Sequence, residues 1–284
     1  MNWPEFQHEA MATAFAIVIA DHPPDYAAQA AAAAFRELDR LEGELSRFVE
    51  SSDIARANRL VCGEAITIGD DTLQCLLLAC EVAAATDRAF DVAYTSERQP
   101  GQVNDAPVFT VDPESHRLIS HAFRLQLDLG AIGKGYALDC LATVLQEWGI
   151  TTACLHGGGS TVLALAPPSG LTGWPVAVGE GTNRRSLTLT HRALSGSGTA
   201  VKGNHLFDPR SQSVAVRIDR VWALAQGAGL SDALSTAFFV MSDAQVASFC
   251  AAHPEVDAII AVADGKIVTH GARENLIQTG DPSP

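Results

Sequence analysis

The chain has 284 residues, of which 47% are hydrophobic and 18% charged, so it can bury the core of one large domain or of two small ones. Its 19 Lys and Arg residues against 33 Asp and Glu residues give a net charge of −14, which disfavours a nucleic-acid or anionic-membrane partner. No apolar run reaches the roughly 18 residues of a membrane span. Because Met1 to Glu9 lack the features of a secretory signal or lipobox, we expect a cytoplasmic protein.

The first half of the chain predicts a strand, two helices and two further strands. Apolar alternation from Thr13 to Ala20 predicts the first strand. Apolar residues at three- and four-residue steps predict a long amphipathic helix from Tyr26 to about Phe48, and a second helix is predicted over about 71–88. Strands at 107–111 and 118–129 follow, on either side of a polar turn.

The second half opens with a helix and continues with short strands. Helical spacing from Tyr136 to Trp148 stops at Gly149, a typical residue for a helix end. The strands predicted after it are short and mostly apolar or alternating, and they cover residues 152–155, 161–165, 175–178, 186–190 and 214–225.

Two helices and a hairpin are predicted near the end of the chain. The helices cover 232–241 and 243–252, and Ser242 with Gln245 completes a capping-box pattern at the start of the second. The pair Asp264-Gly265 between apolar runs predicts a tight hairpin. Grouped strands with inserted helices indicate an α+β fold with mixed, largely antiparallel sheets, and we expect residues 1–284 to form a single domain.

Six cysteines are scattered along the chain without a C-x-x-C pair. Disulfide frameworks are typical of small secreted chains and zinc sites of close ligand pairs, so neither is expected here. We interpret all six as reduced core residues: Cys62, Cys75, Cys80, Cys140, Cys154 and Cys250.

Residues Asp128 to Asp139 run from a strand end through a glycine-rich turn into a helix. Glycine lets a ligand approach the backbone and exposed helix N–H groups attract anions, so a phosphate fits here with Lys134 as a supporting charge. The segment is not a Walker A loop, because Tyr136 occupies the lysine position. It is not a dinucleotide fingerprint either, because Leu138 stands where glycine or alanine is required. An ordinary strand-to-helix turn is the alternative.

Three further segments contain glycines or polar groups that suit a ligand site. The glycine run 156–160 lies between two short strands, where the backbone passes close to a ligand or to another strand. The glycine–serine run 195–198 is followed by His205, near a proline turn. Asp232 and Thr236 share one helix face and offer hard oxygen ligands that suit Mg²⁺, although Asp232 could instead cap the helix.

Together these segments resemble the FAD:protein FMN transferase (ApbE-like) family over most of the chain. The matching motifs are Met11-Ala-Thr13, in which Ala12 replaces the family's glycine, Ser46-Arg-Phe48 to Asn58, Phe90-Asp91, Asp128 to Gly135, His205 to Arg210 and Asp232 to Thr236. The resemblance implies two intertwined lobes around a flavin cleft. It also implies a Mg²⁺-dependent enzyme that splits FAD, moves FMN onto a Thr or Ser hydroxyl of a target flavoprotein and releases AMP.

The resemblance also implies roles for individual residues. Asp232 and Thr236 would bind Mg²⁺ through their side chains, and Ala131 through its backbone carbonyl. His205 would assist the acceptor hydroxyl or steady the phosphate charge, and Asp232 would be the second catalytic residue. The residues expected to contact FAD are Met11, Phe48, Phe90, Asp91, Asp128, Lys134, Leu206 and Ser235.

Two other functions are compatible with the same residues. If water replaces the acceptor hydroxyl, the reaction becomes FAD pyrophosphatase activity, which yields FMN and AMP. A catalytically weak flavin-binding protein is the third interpretation, motivated by changes in the flavin-pocket motifs such as Ala12. The retention of Asp232, Thr236 and His205 argues against it.

Overall fold

The computed structural model describes residues 3–101, 103, 106–179, 184–198, 207–210, 213–214, 220–262 and 266–271. The helices are α1 (Pro24–Leu45), α2 (Asp53–Ala57), α3 (Asp70–Ala85), α4 (Gly133–Glu147), α5 (Ala228–Val240) and α6 (Asp243–Ala252). The strands are β1 (Glu5–Ala10), β2 (Thr13–Ile19), β3 (Ala65–Thr67), β4 (Phe109–Asp112), β5 (Arg117–Ser120), β6 (Ala153–Gly157), β7 (Thr161–Ala164), β8 (Trp174–Val178), β9 (Arg185–Leu189), β10 (Arg192–Ser197), β11 (Phe207–Asp208), β12 (Ser213–Val214), β13 (Arg220–Ala225), β14 (Asp257–Ala261) and β15 (Ile267–His270).

An antiparallel sheet of eight strands forms the centre of the fold, in the order β1-β2-β6-β7-β10-β13-β14-β15. On one face, residues such as Phe15 and Val221 pack in a common core with α1, α4 and α5. On the other face, Leu194 and Ile259 pack against the β8–β9 hairpin. Because both faces are covered, the central strands bury apolar residues in both directions.

A smaller antiparallel sheet lies apart from the central one, in the order β3-β5-β4. Its buried Leu118 belongs to the same core as Leu73 and Leu76 of α3. The α+β class with mixed, largely antiparallel sheets and inserted helices is therefore confirmed.

The strand predicted over 118–129 is wrong beyond Ser120. From His121 onward the backbone bonds to loops and side chains instead of to a neighbouring strand: His121 N–H donates to the Val108 carbonyl, and Asp128 N–H to the Val92 carbonyl. The Asn58 side chain bonds to both backbone groups of Leu127. Its Oδ1 accepts the Leu127 N–H at 2.6 Å, and its Nδ2 donates to the Leu127 carbonyl at 3.0 Å. The alternation of apolar and polar residues over 123–129 could not by itself distinguish this loop from a strand.

Several predicted helix boundaries also differ from the structure. Helix α4 begins at Gly133 instead of Tyr136, and α3 ends at Ala85 instead of about residue 88. The first long helix ends at Leu45 because Ser46 is extended, with φ −78° and ψ 122°. The helix predicted from Asp232 begins at Ala228, so Asp232 lies inside α5 and Gly227 occupies the N-cap position. The capping box of Ser242 and Gln245 at the start of α6 is confirmed.

Several elements were not predicted from the sequence, including β1, α2, β3 and β10. Strand β10 contains Arg192, a residue type that argues against a buried strand, and Asp257 of β14 neutralises it at 2.5 Å. The strand predicted over 214–225 is described as β12 and β13, and residues 215–219 lie outside the described residues. Strands β14 and β15 pair as the hairpin prediction requires, whereas Asp264-Gly265 lies outside the described residues.

All six cysteines are free, but the expectation that all lie in the core is only partly correct. Cys75, Cys154 and Cys250 are buried and Cys140 is half-buried, whereas Cys62 and Cys80 are exposed. Cys62 lies in a turn before β3, and Cys80 lies on an exposed position of α3. No helix within the described ranges is long and apolar enough to cross a bilayer.

Replacement of Ala12 by glycine is expected to stabilise the protein. Ala10 pairs with Thr13, so Met11 and Ala12 form a two-residue hairpin turn, with φ values of 52° and 57°. A residue with a side chain costs about 1–2 kcal/mol in the left-handed backbone conformation. Glycine avoids that cost, but it loses more backbone entropy on folding, which offsets about 0.5–1 kcal/mol of the gain. Ala12→Gly should therefore raise the free energy of unfolding in urea by about 0.5–1 kcal/mol.

The matched control is Ala14→Gly, which changes another exposed alanine two residues later within β2. Strand backbone gives glycine no advantage, so this variant should lose about 0.5–1 kcal/mol. Equal losses in the two variants would contradict the assignment of strain to the turn.

Candidate active site

The glycine turn before α4 and the first turns of α5 meet at the carboxylate of Asp232. This side chain is buried, with 4% of the residue exposed. The Lys134 ammonium lies 3.0 Å from Oδ2, the Gly135 N–H donates to Oδ2 at 3.2 Å, and the Thr161 hydroxyl donates to Oδ1 at 3.3 Å. A buried carboxylate requires such partners, and here they come from α4 and β7.

The Lys134 ammonium also lies 3.3 Å from the Gly130 carbonyl oxygen. One positive charge therefore sits between a loop carbonyl and the Asp232 carboxylate. Ala131, the predicted carbonyl ligand, is the next residue of the same loop. The Gly130 carbonyl of the turn and the Asp232 carboxylate of α5 thus bind the same cation, the Lys134 ammonium.

Hydroxyl groups line the sheet opposite α5. Ser197 Oγ of β10 lies 2.9 Å from Ser235 Oγ and 3.5 Å from Thr236 Oγ1. Ser195 faces the same side of β10 and stands opposite Thr161 in the strand register. Within the described residues, the fully buried Ser195 hydroxyl has no hydrogen-bond partner. These hydroxyls make this part of the contact between α5 and the sheet polar, and one of them is an unsatisfied donor.

Helices α4 and α5 approach each other unusually closely at Gly135. A Cβ atom on Gly135 would lie 2.1 Å from the Ala228 carbonyl oxygen, so only glycine fits without displacing the backbone. One helical turn later, the Asp139 carboxylate accepts the N–H groups of Ala228 and Gly229 at 2.7 Å and 2.8 Å. Burial raises the pKa of Asp139, and the two N–H groups oppose that rise.

Polar contacts anchor the first turn of α4 on its other side. The Tyr136 hydroxyl donates to Asp71 of α3 at 2.8 Å, and Arg40 of α1 contacts the other oxygen of that carboxylate at 2.5 Å. Burial raises the pKa of Asp71, but the hydrogen bonds from Arg40 and Tyr136 outweigh it and leave that pKa below its usual value. Helix α3, itself held by α1, therefore fixes Tyr136, the residue that follows Gly135.

Asp128 begins the glycine turn and links it to an exposed aromatic ring. Its carboxylate accepts the Gly130 N–H at 2.9 Å and pairs with Arg47 at 3.1 Å. The Arg47 guanidinium lies 4.7 Å from the centroid of the Phe48 ring, which is 82% exposed. An exposed ring held by a cation at the edge of the turn can stack on a planar ligand.

Other predicted FAD contacts lie around this turn or outside the described residues. Asp91 pairs with Arg88, and the Phe90 side chain is buried in the core at 2% exposure. Both precede Val92, whose carbonyl accepts the Asp128 N–H. Met11 packs on the core, and its N–H donates to Glu42 at 2.8 Å. His205 and Leu206 lie outside the described residues.

The structure thus joins Lys134, Asp232, Ser235 and Thr236 through a continuous set of hydrogen bonds that includes Ser197. It connects Asp128 and Phe48 through Arg47. The hydrogen bonds of the described residues do not link Met11, Phe90 or Asp91 to the Asp232 group. Among the same residues, no group of three or more His, Cys, Asp or Glu side chains could hold a metal ion.

Sequence reasoning missed several residues of this site, namely Arg47, Gly135, Asp139, Thr161 and Ser197. Arg47, Gly135, Asp139 and Ser197 lie within the candidate segments, but the segments alone indicate no role for them. Asp139 stands four residues after Gly135 on a helix, which is a signal that it shares the face of that glycine. Thr161 gives no such signal, because its contact depends on the pairing of β7 with β10.

The fold and the site together define an α+β protein with a buried carboxylate and serine hydroxyls at the glycine turn of a helix. The sequence model of the ApbE family matches residues 11–260. This chain belongs to the ApbE family. The predicted family resemblance is therefore confirmed.

Named relatives agree with this assignment. An FAD:protein FMN transferase of Rhodobacter capsulatus is 31% identical over 177 residues, which cover 56% of this chain and 33% of that protein. An FAD:protein FMN transferase of Vibrio cholerae is 23% identical over 241 residues, which cover 73% of this chain and 72% of that protein. The crystal structure of the Pseudomonas stutzeri flavinyl transferase ApbE, in its apo form, shares the fold with a TM-score of 0.79 at 19% identity, over 99% of this chain and 98% of that chain.

Removal of the Lys134 charge is expected to destabilise the folded protein. Lys134→Met leaves the buried Asp232 carboxylate with only neutral donors, at a cost of about 1–3 kcal/mol in the free energy of unfolding. The measurement is urea denaturation of the metal-free protein. The double variant Lys134→Met/Asp232→Asn removes both charges and should recover part of that loss. A double variant no more stable than Lys134→Met alone would contradict the charge pairing.

Proposed function

We propose that this chain is a Mg²⁺-dependent FAD:protein FMN transferase that moves FMN from FAD onto a Thr or Ser hydroxyl of a target flavoprotein. The observation that carries the proposal is the Asp232 carboxylate at the glycine turn of α4, with serine and threonine hydroxyls around it. Membership of the ApbE family and the names of the relatives support the same reaction.

The residues at the turn fit a magnesium ion. A carboxylate, a hydroxyl and a backbone carbonyl are the hard oxygen donors that Mg²⁺ prefers, and it usually keeps few protein ligands. The Lys134 ammonium between the Gly130 carbonyl and Asp232 supports cation binding at this point of the loop. We assign the ion to Asp232, Thr236 and the Ala131 carbonyl, where it would neutralise charge on the diphosphate of FAD.

The turn itself would hold the diphosphate. Gly133 and Gly135 open α4 without side chains, so the diphosphate can approach the backbone beside the Lys134 ammonium at this helix N-terminus. Phe48 would stack on a ring of FAD from the rim. We assign the remaining contacts with the rings and ribose to Met11, Phe90, Asp91, Asp128, Leu206 and Ser235.

The proposed reaction forms one bond and breaks one bond. The acceptor hydroxyl oxygen bonds to the FMN phosphorus, and the bond from that phosphorus to the bridging oxygen breaks, so AMP leaves with that oxygen. The acceptor hydroxyl loses its proton, and we assign His205 to assist that loss or to steady the phosphate charge. The role of the chain is otherwise to position the diphosphate and neutralise its charge.

The test incubates the purified protein with FAD and Mg²⁺, with and without a protein or peptide that carries a candidate acceptor threonine. We expect Mg²⁺-dependent AMP and an FMN-sized gain in the acceptor's mass. AMP with free FMN, for every acceptor tried, would identify a pyrophosphatase instead. Bound FAD without AMP would identify a flavin-binding protein and contradict the proposal.

Replacement of Asp232 should abolish catalysis without unfolding the protein. Replacement of a residue that orients a metal ligand lowers metal affinity or activity by about 10–100-fold. Loss of a ligand itself should therefore lower AMP release by about 100-fold or more. Asp232→Asn keeps the shape of the side chain, and Glu147→Gln on the exposed end of α4 is the charge-matched control. Retained turnover in Asp232→Asn would exclude its role as a ligand.

Replacement of His205 separates catalysis from binding. His205→Ala should slow transfer by about 100-fold or more, as expected for loss of a general base, while the FAD dissociation constant changes by less than about twofold. Equal losses in transfer rate and FAD affinity would instead identify a binding residue.

A further inference from the structure

Helices α4 and α5 cap each other reciprocally. Asp232, one turn after Ala228, accepts the N–H of Gly135 at the start of α4. Asp139, one turn after Gly135, accepts the N–H groups of Ala228 and Gly229 at the start of α5. One N–H in the first turn of α4 and two in the first turn of α5 therefore donate to a carboxylate of the other helix.

Neither helix has a capping side chain of its own. The N-cap positions are Ile132 for α4 and Gly227 for α5, and neither makes a side-chain cap hydrogen bond. The first turns of both helices also contain no acidic residue. Unpaired N–H groups at a helix start need an acceptor and favour negative charge, so Asp139 is the group that satisfies α5.

We infer that Asp139 is a positioning residue that sets the place of Asp232 relative to the glycine turn, an inference that rests on the proposed function. Because Gly135 packs directly against the Ala228 carbonyl, α4 and α5 cannot move closer together at this point. Asp139 fixes α5 at the residues one turn before Asp232. The distance from the Asp232 carboxylate to Lys134 and to the Ala131 loop follows from that contact.

The two carboxylates have different tasks. Asp232 divides its oxygens among Lys134, Gly135 and Thr161, and in the proposed reaction it also binds Mg²⁺. If an Asp232 oxygen turns to the ion, the hydrogen bonds from Asp232 to Lys134 and Gly135 of α4 weaken. Asp139 contacts only the start of α5 with its carboxylate among the described residues, so its contact persists whether or not the ion is bound.

The variant that tests this is Asp139→Asn, which keeps the shape but turns an NH₂ group toward one of the two N–H donors. At saturating FAD, the half-saturating Mg²⁺ concentration for AMP release should rise about 10-fold or more, as for other residues that orient a metal ligand. The KM for FAD should stay within about twofold. A merely structural role would change both or neither, and Glu147→Gln should change neither.

A second readout uses no FAD and no Mg²⁺. In the metal-free wild type, the amides of Ala228 and Gly229 should be protected from hydrogen exchange followed by NMR, and Asp139→Asn should speed their exchange about 10-fold or more. Exchange of these wild-type amides at the solvent rate would overturn the inference even if Asp139→Asn fails to fold. An unchanged Mg²⁺ requirement in a folded Asp139→Asn would overturn it as well.

Failure of the proposed function would look different. If the wild type released no AMP from FAD, the transferase proposal would fall, whereas exchange at residues 228, 229 and 232 would still report whether Asp139 positions α5. Protected amides in the wild type with faster exchange at Asp232 in Asp139→Asn would support the positioning role in that case.

Discussion

The carboxylate of Asp232 lies between α4, α5 and β7 at 4% exposure, and an unpaired charge there would cost several kcal/mol. Lys134 and Gly135 at the start of α4 and Thr161 of β7 compensate that charge. Those contacts require the glycine turn, the start of α4 and the β7 strand to converge. The need to hold this one charge therefore connects the central sheet with both helices.

The convergence depends on one glycine as much as on charges. Gly135 leaves room for the backbone of α4 to reach the Ala228 carbonyl of α5, and Tyr136 links the same turn to Asp71 on α3. These contacts fix α3, α4 and α5 relative to one another and form a frame on one side of the site. The exposed Phe48 and its partner Arg47 stand at the rim of that frame, where a ligand can reach them.

The motif residues Lys134, Asp232 and Thr236 could be predicted because each lies in a short pattern with its own chemistry. Thr161 and Asp139 could not be assigned, because their partners lie 71 and 89 or more residues away and only the fold brings them together. The same limit applies to secondary structure. Arg192 argued against a buried strand at β10, and only the fold shows that Asp257 neutralises its charge. The alternating segment after Ser120 resembled a strand, although Asn58 holds it as a loop.

Reciprocal capping also has a consequence for the order in which the protein folds. Gly135 and Asp232 are separated by 97 residues, and strands β6, β7, β10 and β13 lie between them in the sequence. The capping contacts between α4 and α5 form only once the intervening sheet has brought the two helices together, and contacts of such long sequence separation form slowly. The site should therefore assemble late and cooperatively, so that a partly folded chain does not present Asp232 beside the glycine turn.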